Sequence, residues 1–410
     1  MRSFLATRLG AVATAVLVAP LLLAHPAAAR AAGPPNDGTT AAEARRTGGV
    51  QSLPLQPLDA GPRAGGEPAE PAEPAGTQGL PSTDTGPFSL LGVVWTDPAA
   101  ELHGQVQVTT RAAGTDEWSE WVELDAQDAH APDPGTAEAG RSEARGGTVP
   151  LWVGPSDGVR VRVVPDEGPP APGLPEGLSL ELVDPGEENG TGETAPAVAT
   201  EPRAGVTAGE HEGPRPPIVI RSGWGADESL RESGFVYTDT IRTAFVHHTA
   251  GTNAYECEEA PALLRGIYRY HVESQGWRDV GYNFFVDKCG TIYEGRAGGV
   301  AEPVQGAHTY GFNHNSTGVA VLGTYTSTDP GRDVRDALSL LTAWKLGLHG
   351  RDPAASSNRT SGGGKWPAGT TVKLNNISGH RDGYATACPG DELYADLPTV
   401  RSTAAKLQGR

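Results

Sequence analysis

The sequence predicts an α/β fold for residues 217–410, a mixed β-sheet flanked by helices, preceded by a small all-β sandwich over residues 81–185. Three observations carry this prediction. From Ile218 onward, short apolar runs alternate with segments whose apolar residues recur at helical spacing. Between 81 and 185, apolar and polar residues alternate with period two, as in Gln105-Val106-Gln107-Val108-Thr109 and Val159-Arg160-Val161-Arg162-Val163. Glycine (55) and proline (35) are too frequent for one globule of 410 residues with a hydrophobic fraction of 37%, so they are assigned to joints between folded units.

The amino end carries Arg2 and Arg8, an apolar stretch from Leu9 to Leu23, and the small residues Ala27-Ala28-Ala29. This is the three-part pattern of a secretory signal peptide, assigned to residues 1–32. A membrane span needs about 18 or more apolar residues, and this run is shorter and broken by Pro20. The mature chain is therefore expected outside the cytoplasm, secreted and free of membrane after cleavage, with association to a cell wall left open. Its 32 basic and 50 acidic side chains give a formal charge of −18, which argues against nucleic acid or an anionic membrane as partner.

Residues 33–80 are rich in Pro, Gly, Ala and Glu and are expected to be disordered. Within 81–185, strand-like runs are Phe88 to Trp95, His103 to Thr110, Trp118 to Leu124, Thr148 to Val153, Val159 to Val164 and Leu178 to Val183. Trp95, Trp118, Trp121 and Trp152 lie in this unit, read as packing residues in preference to a platform for sugars. Residues 186–216 hold six glutamates against two arginines and read as an acidic, self-repelling linker.

In the carboxyl-terminal unit, Thr243 to His248 reads as a buried strand and Pro261 as the opening of a helix that Gly276 stops. A hairpin of Tyr282 to Asp287 and Thr291 to Glu294 follows, then a strand over Thr317 to Tyr325. Val334, Leu338, Leu341, Trp344, Lys345 and Leu348 mark an amphipathic helix, and a last helix is expected from Asp391 towards Leu407. Residues 351–371 read as a Gly/Ser/Pro-rich surface insertion.

The chemistry concentrates at both ends of this unit. His247 and His248 close the first strand, and successive side chains there point to opposite faces, so only one faces a given cleft. Gly379-His380-Arg381-Asp382 is followed by Thr386-Ala387-Cys388-Pro389-Gly390, with Cys388 eight residues after His380. Imidazole and thiolate are both good zinc ligands, and two histidines with one cysteine leave a fourth position for water, as in catalytic zinc sites. Such a site lowers the pKa of bound water to about 7, which makes hydrolysis feasible. Of three cysteines in an exported chain, Cys257 and Cys289 flank the Pro261 helix and are expected to pair, leaving Cys388 for the metal.

These residues sit in a set of motifs: Arg221-Ser222-Gly223-Trp224-Gly225-Ala226, Val246-His247-His248-Thr249, Gly276 to Phe284, Ile292-Tyr293-Glu294-Gly295-Arg296, Gly306-Ala307-His308-Thr309, and His380-Arg381-Asp382 through Cys388-Pro389-Gly390. In this order they resemble the peptidoglycan recognition proteins, grouped with the type 2 zinc N-acetylmuramoyl-L-alanine amidases and the T7-type phage lysozyme. The resemblance covers the carboxyl-terminal half only. It implies zinc held by His247, His380 and Cys388, and Tyr282 as the catalytic donor to the oxyanion. Thr386 stands two residues before the cysteine, where it implies a second polar group; a loop hydroxyl bonding its own backbone is the plain alternative. It also implies substrate contacts at His308, Asn313 and Arg296, while His271 reads as a core or groove-wall histidine.

The implied function is a secreted zinc amidase, acting as a monomer on peptidoglycan, that cuts the lactyl–L-alanine amide bond. Two alternatives belong to other classes: a non-catalytic peptidoglycan-binding module, and a cysteine peptidase with Cys388 as nucleophile and His380 as base. Stem-peptide preference stays open, because Ala297-Gly298-Gly299 stands where diaminopimelate-type members often have Gly-Trp.

Overall fold

The computed structural model describes residues 48–58, 73–125, 130–166, 173–187, 194–195 and 211–410. The expected signal segment 1–32 lies outside the described residues, as does most of the expected linker.

The amino-terminal half is built on β1 (Gly49–Pro54), β2 (Gln56–Pro57), β3 (Gln78–Trp95), β4 (Gly104–Ala112), β5 (Val122–Leu124), β6 (Gly146–Gly147), β7 (Leu151–Pro165) and β8 (Ser179–Asp184). The sheet runs β1-β8-β3-β7-β4-β5, with β2 and β6 also pairing with β3. The long β3–β7 pairing breaks register at three points, and such bulges bend a strand. Leu91, Val93, Leu180 and Leu182 from one end of the bent sheet therefore share a core with Val106, Val108, Val159 and Val161 from the other.

Several sequence expectations need correction here. Gly49–Pro54, Gln56–Pro57 and residues 78–80, expected to be disordered, are in strands: Leu55 between the first two is buried and Leu53 and Leu80 pack on the β core, a contribution that the surrounding Pro and Gly mask in composition. The β unit thus begins well before residue 81. The two runs over 148–164 are largely one strand, β7, and only Val122–Leu124 of the 118–124 run is a strand. Trp95 and Trp152 are buried, as expected, whereas Trp121 is 42% exposed with Arg162 stacked over it.

The second half forms a sheet of seven strands in the order β17-β11-β14-β12-β13-β10-β9. These are β9 (Thr194–Ala195), β10 (Ile218–Val219), β11 (Thr243–His248), β12 (Phe284–Val286), β13 (Ile292–Glu294), β14 (Ser316–Val321) and β17 (Ile377–Gly379). The core strands β17, β11, β14 and β12 are parallel, and both faces are covered, so every residue of β11 is buried. Helices Gly331–Gly347 and Asp391–Leu407 pack one face through Leu338, Leu341, Val400 and Ala404 against Val246, Val319 and Val321. Helix Ala260–Arg269 packs the other through Leu264 and Ile267 against Phe285, Ala320 and Leu322.

Two more corrections concern this half. The expected insertion 351–371 carries a hairpin strand, β15 (Ser356–Thr360), paired with β16 (Thr371–Asn375); its Arg359 is buried and donates to Phe312 O at 3.4 Å. The linker's last residues are packed too: His211 Nδ1 lies 3.1 Å from Gln408 O, and a Cβ on Gly213 would meet Ala343 at 2.8 Å.

Helix Ala260–Arg269 also receives the β unit. Leu90, Val94, Trp152 and Val183 turn away from the β core and join Leu263, Leu264, Ile267 and Tyr270. Both faces of Leu90–Trp95 are therefore buried. Tyr270 donates to Thr148 O at 3.1 Å, and a Cβ on Gly92 would stand 2.5 Å from its hydroxyl.

Candidate metal centre

Strand register assembles the site. β17 runs parallel beside β11 with Phe245 opposite Ser378 and Val246 opposite Gly379, so the next step in each strand sets His247 beside His380. Their ring centroids lie 4.5 Å apart. His247 shares its face with Phe245, while His248 turns to the other side, where its Nδ1 accepts from Tyr325 N at 3.3 Å.

Cys388 arrives from the loop after His380, its Sγ accepting the His248 N–H at 3.4 Å and lying 3.8 Å from His247 Nδ1. The expected disulfide is present between Cys257 and Cys289, with Cα atoms 6.4 Å apart, so Cys388 is the remaining cysteine. A fourth group, His130, comes from the amino-terminal half; its Nε2 stands 3.1 Å from His247 Nδ1 and its ring stacks on His380 at 4.7 Å. Donor atoms of His130, His247, His380 and Cys388 all lie within 4.8 Å of one another. Zinc bond lengths of about 2.0–2.3 Å give tetrahedral edges of roughly 3–4 Å, so this nitrogen and sulfur set fits such an ion.

The shell behind the donors fits as well. His247 Nε2 lies 3.2 Å from His308 Nδ1 and 3.4 Å from Thr309 Oγ1, which orients the ring and leaves Nδ1 to face Cys388 and His130. Burial, and then the neighbouring His380 imidazole, hold His247 well below the ordinary histidine range, and a neutral ring is the form that ligates. Tyr282 is buried at the same centre, its hydroxyl 3.2 Å from His130 Nε2.

Comparison with known proteins is consistent with this geometry. Residues 237–391 match the N-acetylmuramoyl-L-alanine amidase family, and residues 40–202 match the family described as Rv3811 N-terminal galactose-binding domain-like. Peptidoglycan-recognition protein SC2 of Drosophila simulans is 30% identical over 183 residues, covering 44% of this chain and 85% of that protein. The chain belongs to the peptidoglycan-recognition protein family. Human N-acetylmuramoyl-L-alanine amidase is 36% identical over 202 residues, 48% of this chain and 30% of the human protein. The chain thus spans under a third of that relative.

Within this peptidoglycan-recognition protein the other expected site residues are placed differently from one another. Thr386 Oγ1 accepts the Cys388 N–H at 3.1 Å, the local loop bond that was its plainer reading. His271 is a packed core residue, stacked on Trp277 at 4.5 Å with Nδ1 accepting from Gly281 N.

His308, Asn313 and Arg296, expected to face substrate, are all buried. His308 stands behind His247 because a Cβ on Gly318 or Gly306 would fill its berth, at 2.4 and 2.5 Å. Asn313 and Arg296 already hold groups of this chain: Nδ2 of Asn313 donates to Asp133 at 2.8 Å, and Arg296 pairs with Glu138 at 2.8 Å. Sequence reasoning missed His130. It sits in the sequence Asp128-Ala129-His130-Ala131-Pro132-Asp133, with no periodicity and no metal-ligand spacing to mark it.

Proposed function

We propose that this chain is a secreted, zinc-dependent N-acetylmuramoyl-L-alanine amidase that hydrolyses the amide between the lactyl group of muramic acid and L-alanine in peptidoglycan. The observation that carries the reading is the convergence of His247, His380 and Cys388, from two strand ends and one loop, on a centre that Tyr282 also reaches. The export signal at residues 1–32 supports secretion, and among the described residues no helix is long and apolar enough to cross a membrane.

When bound, zinc supplies positive charge that polarises the scissile carbonyl and acidifies a water. His247 and His380 offer neutral imidazole nitrogens, and Cys388 a thiolate whose charge the His248 N–H moderates. His308 and Thr309 fix the His247 ring. The Tyr282 hydroxyl donates to the oxygen on which negative charge develops, a contribution typically worth on the order of 10²–10³ in rate. Thr386 holds the Cys388 backbone in place.

One observation favours the non-catalytic reading: His130 adds a fourth donor to the cluster, where a catalytic site keeps a position for water. Digestion of purified peptidoglycan decides between them. Zinc-loaded wild type is expected to release peptides with a free L-alanine amine, Cys388→Ala to release none, and a chelator to stop the reaction until zinc is returned. Product from Cys388→Ala removes zinc from the mechanism, and activity that survives chelation but not thiol alkylation points to a cysteine peptidase.

A further inference from the structure

We propose that residues 130–145 are an internal plug of the metal site, with His130 as a fourth metal ligand and Asp133 and Glu138 fastening the segment into the groove. The consequence for activity rests on the amidase reading; the ligation and the occupancy of the groove do not.

His130 Nε2 meets both working parts of the site at once. It lies 3.1 Å from His247 Nδ1 and 3.2 Å from the Tyr282 hydroxyl, and the ring is stacked on His380. Three imidazoles and a thiolate make a closed tetrahedral set, whereas a catalytic zinc keeps one position for water or substrate. Closing that position with a side chain also packs an imidazole edge-on against the tyrosine that would otherwise serve the oxyanion, with ring centroids 5.1 Å apart.

The fastening is specific. The Asp133 carboxylate accepts the backbone N–H groups of Gly311 (2.8 Å), Asn313 (3.3 Å) and His314 (3.1 Å) and the Asn313 side-chain amide (2.8 Å). That amide also donates to Ala131 O at 2.8 Å. Five residues on, Glu138 forms a two-pronged pair with Arg296, both contacts 2.8 Å, and accepts the Arg278 N–H at 3.2 Å. The two side chains are 9% and 4% exposed, so neither charge is comfortable without the other. Arg141 and Arg145 then tie the segment to Gly276 O and Gln275 O at 2.9 and 3.0 Å.

The receiving groups describe what displaces the plug. Arg296 requires a carboxylate, and the N–H groups of 311–314 require acceptors. An acidic peptide attached to a sugar offers both, so substrate and plug compete for one set of donors. A closed-to-open ratio of 99:1 lowers the apparent affinity for such a ligand about a hundredfold.

The test uses the full zinc-loaded chain in three forms: wild type, His130→Ala, and Asp133→Asn combined with Glu138→Gln, which leaves every donor atom in place. X-ray absorption at the zinc edge is expected to show three imidazoles and one sulfur in wild type and one imidazole fewer in His130→Ala. Calorimetric titration with a soluble muropeptide is expected to show at least tenfold tighter binding for both variants, with the double variant guarding against misfolding of the single one. Unchanged ligation in His130→Ala, or equal binding by all three proteins, overturns the proposal even if wild type digests peptidoglycan. Tighter binding and lost ligation with no free L-alanine amine from any form sustains the plug and removes the amidase reading.

Discussion

His247 uses its two nitrogens for two tasks, Nδ1 facing the donor cluster and Nε2 facing His308 and Thr309. Substitutions separate these tasks. Cys388→Ser or His380→Ala is expected to lose stoichiometric zinc and amidase activity together, checked by metal analysis of the purified protein. Tyr282→Phe should keep its zinc and lose about 10²–10³ in kcat, because it removes one hydrogen-bond donor and no metal ligand. His308→Ala should lower zinc affinity about 10–100-fold, the usual effect of losing a group that orients a ligand, read by competition with a chromogenic chelator.

The strands and helices explain why part of the site was legible in the sequence. His247 lies one residue before the end of β11 and His380 directly follows the adjacent parallel strand β17, and Cys388 lies in the loop after it, so each donor falls in a local pattern that survives without coordinates. His130 has no such pattern, because its place is set by contacts with residues more than a hundred positions away. β1 and β15 were hidden for a different reason: their few apolar or paired residues lie among Pro, Gly and Ser that dominate any window average. The Cys257–Cys289 bond closes a separation of 32 residues around helix Ala260–Arg269. Removing it in the double alanine variant is expected to cost about 3–4 kcal/mol by the loop-entropy relation, measured as a shift of the urea midpoint. Leu264→Ala, which empties a fully buried place on that helix, should cost about 2–5 kcal/mol in the same assay.

At the scale of the molecule, the two halves share a core, since Leu90, Val94, Trp152 and Val183 pack with Leu263, Leu264, Ile267 and Tyr270. A shared core predicts a single calorimetric transition for the described body, with chelation lowering its midpoint and zinc restoring it. Two separate transitions would show the halves to be independent. Residues 217–410 expressed alone would expose that apolar surface and are expected to associate or precipitate at concentrations where the full chain stays dispersed, followed by light scattering. Gly92 gives the same contact a practical use. With the Tyr270 hydroxyl 2.5 Å from where a methyl group would sit, any bulkier residue there acts as a wedge. A single change outside the donor residues thus offers a lever to pry the halves apart and withdraw His130 while His247, His380 and Cys388 stay in place.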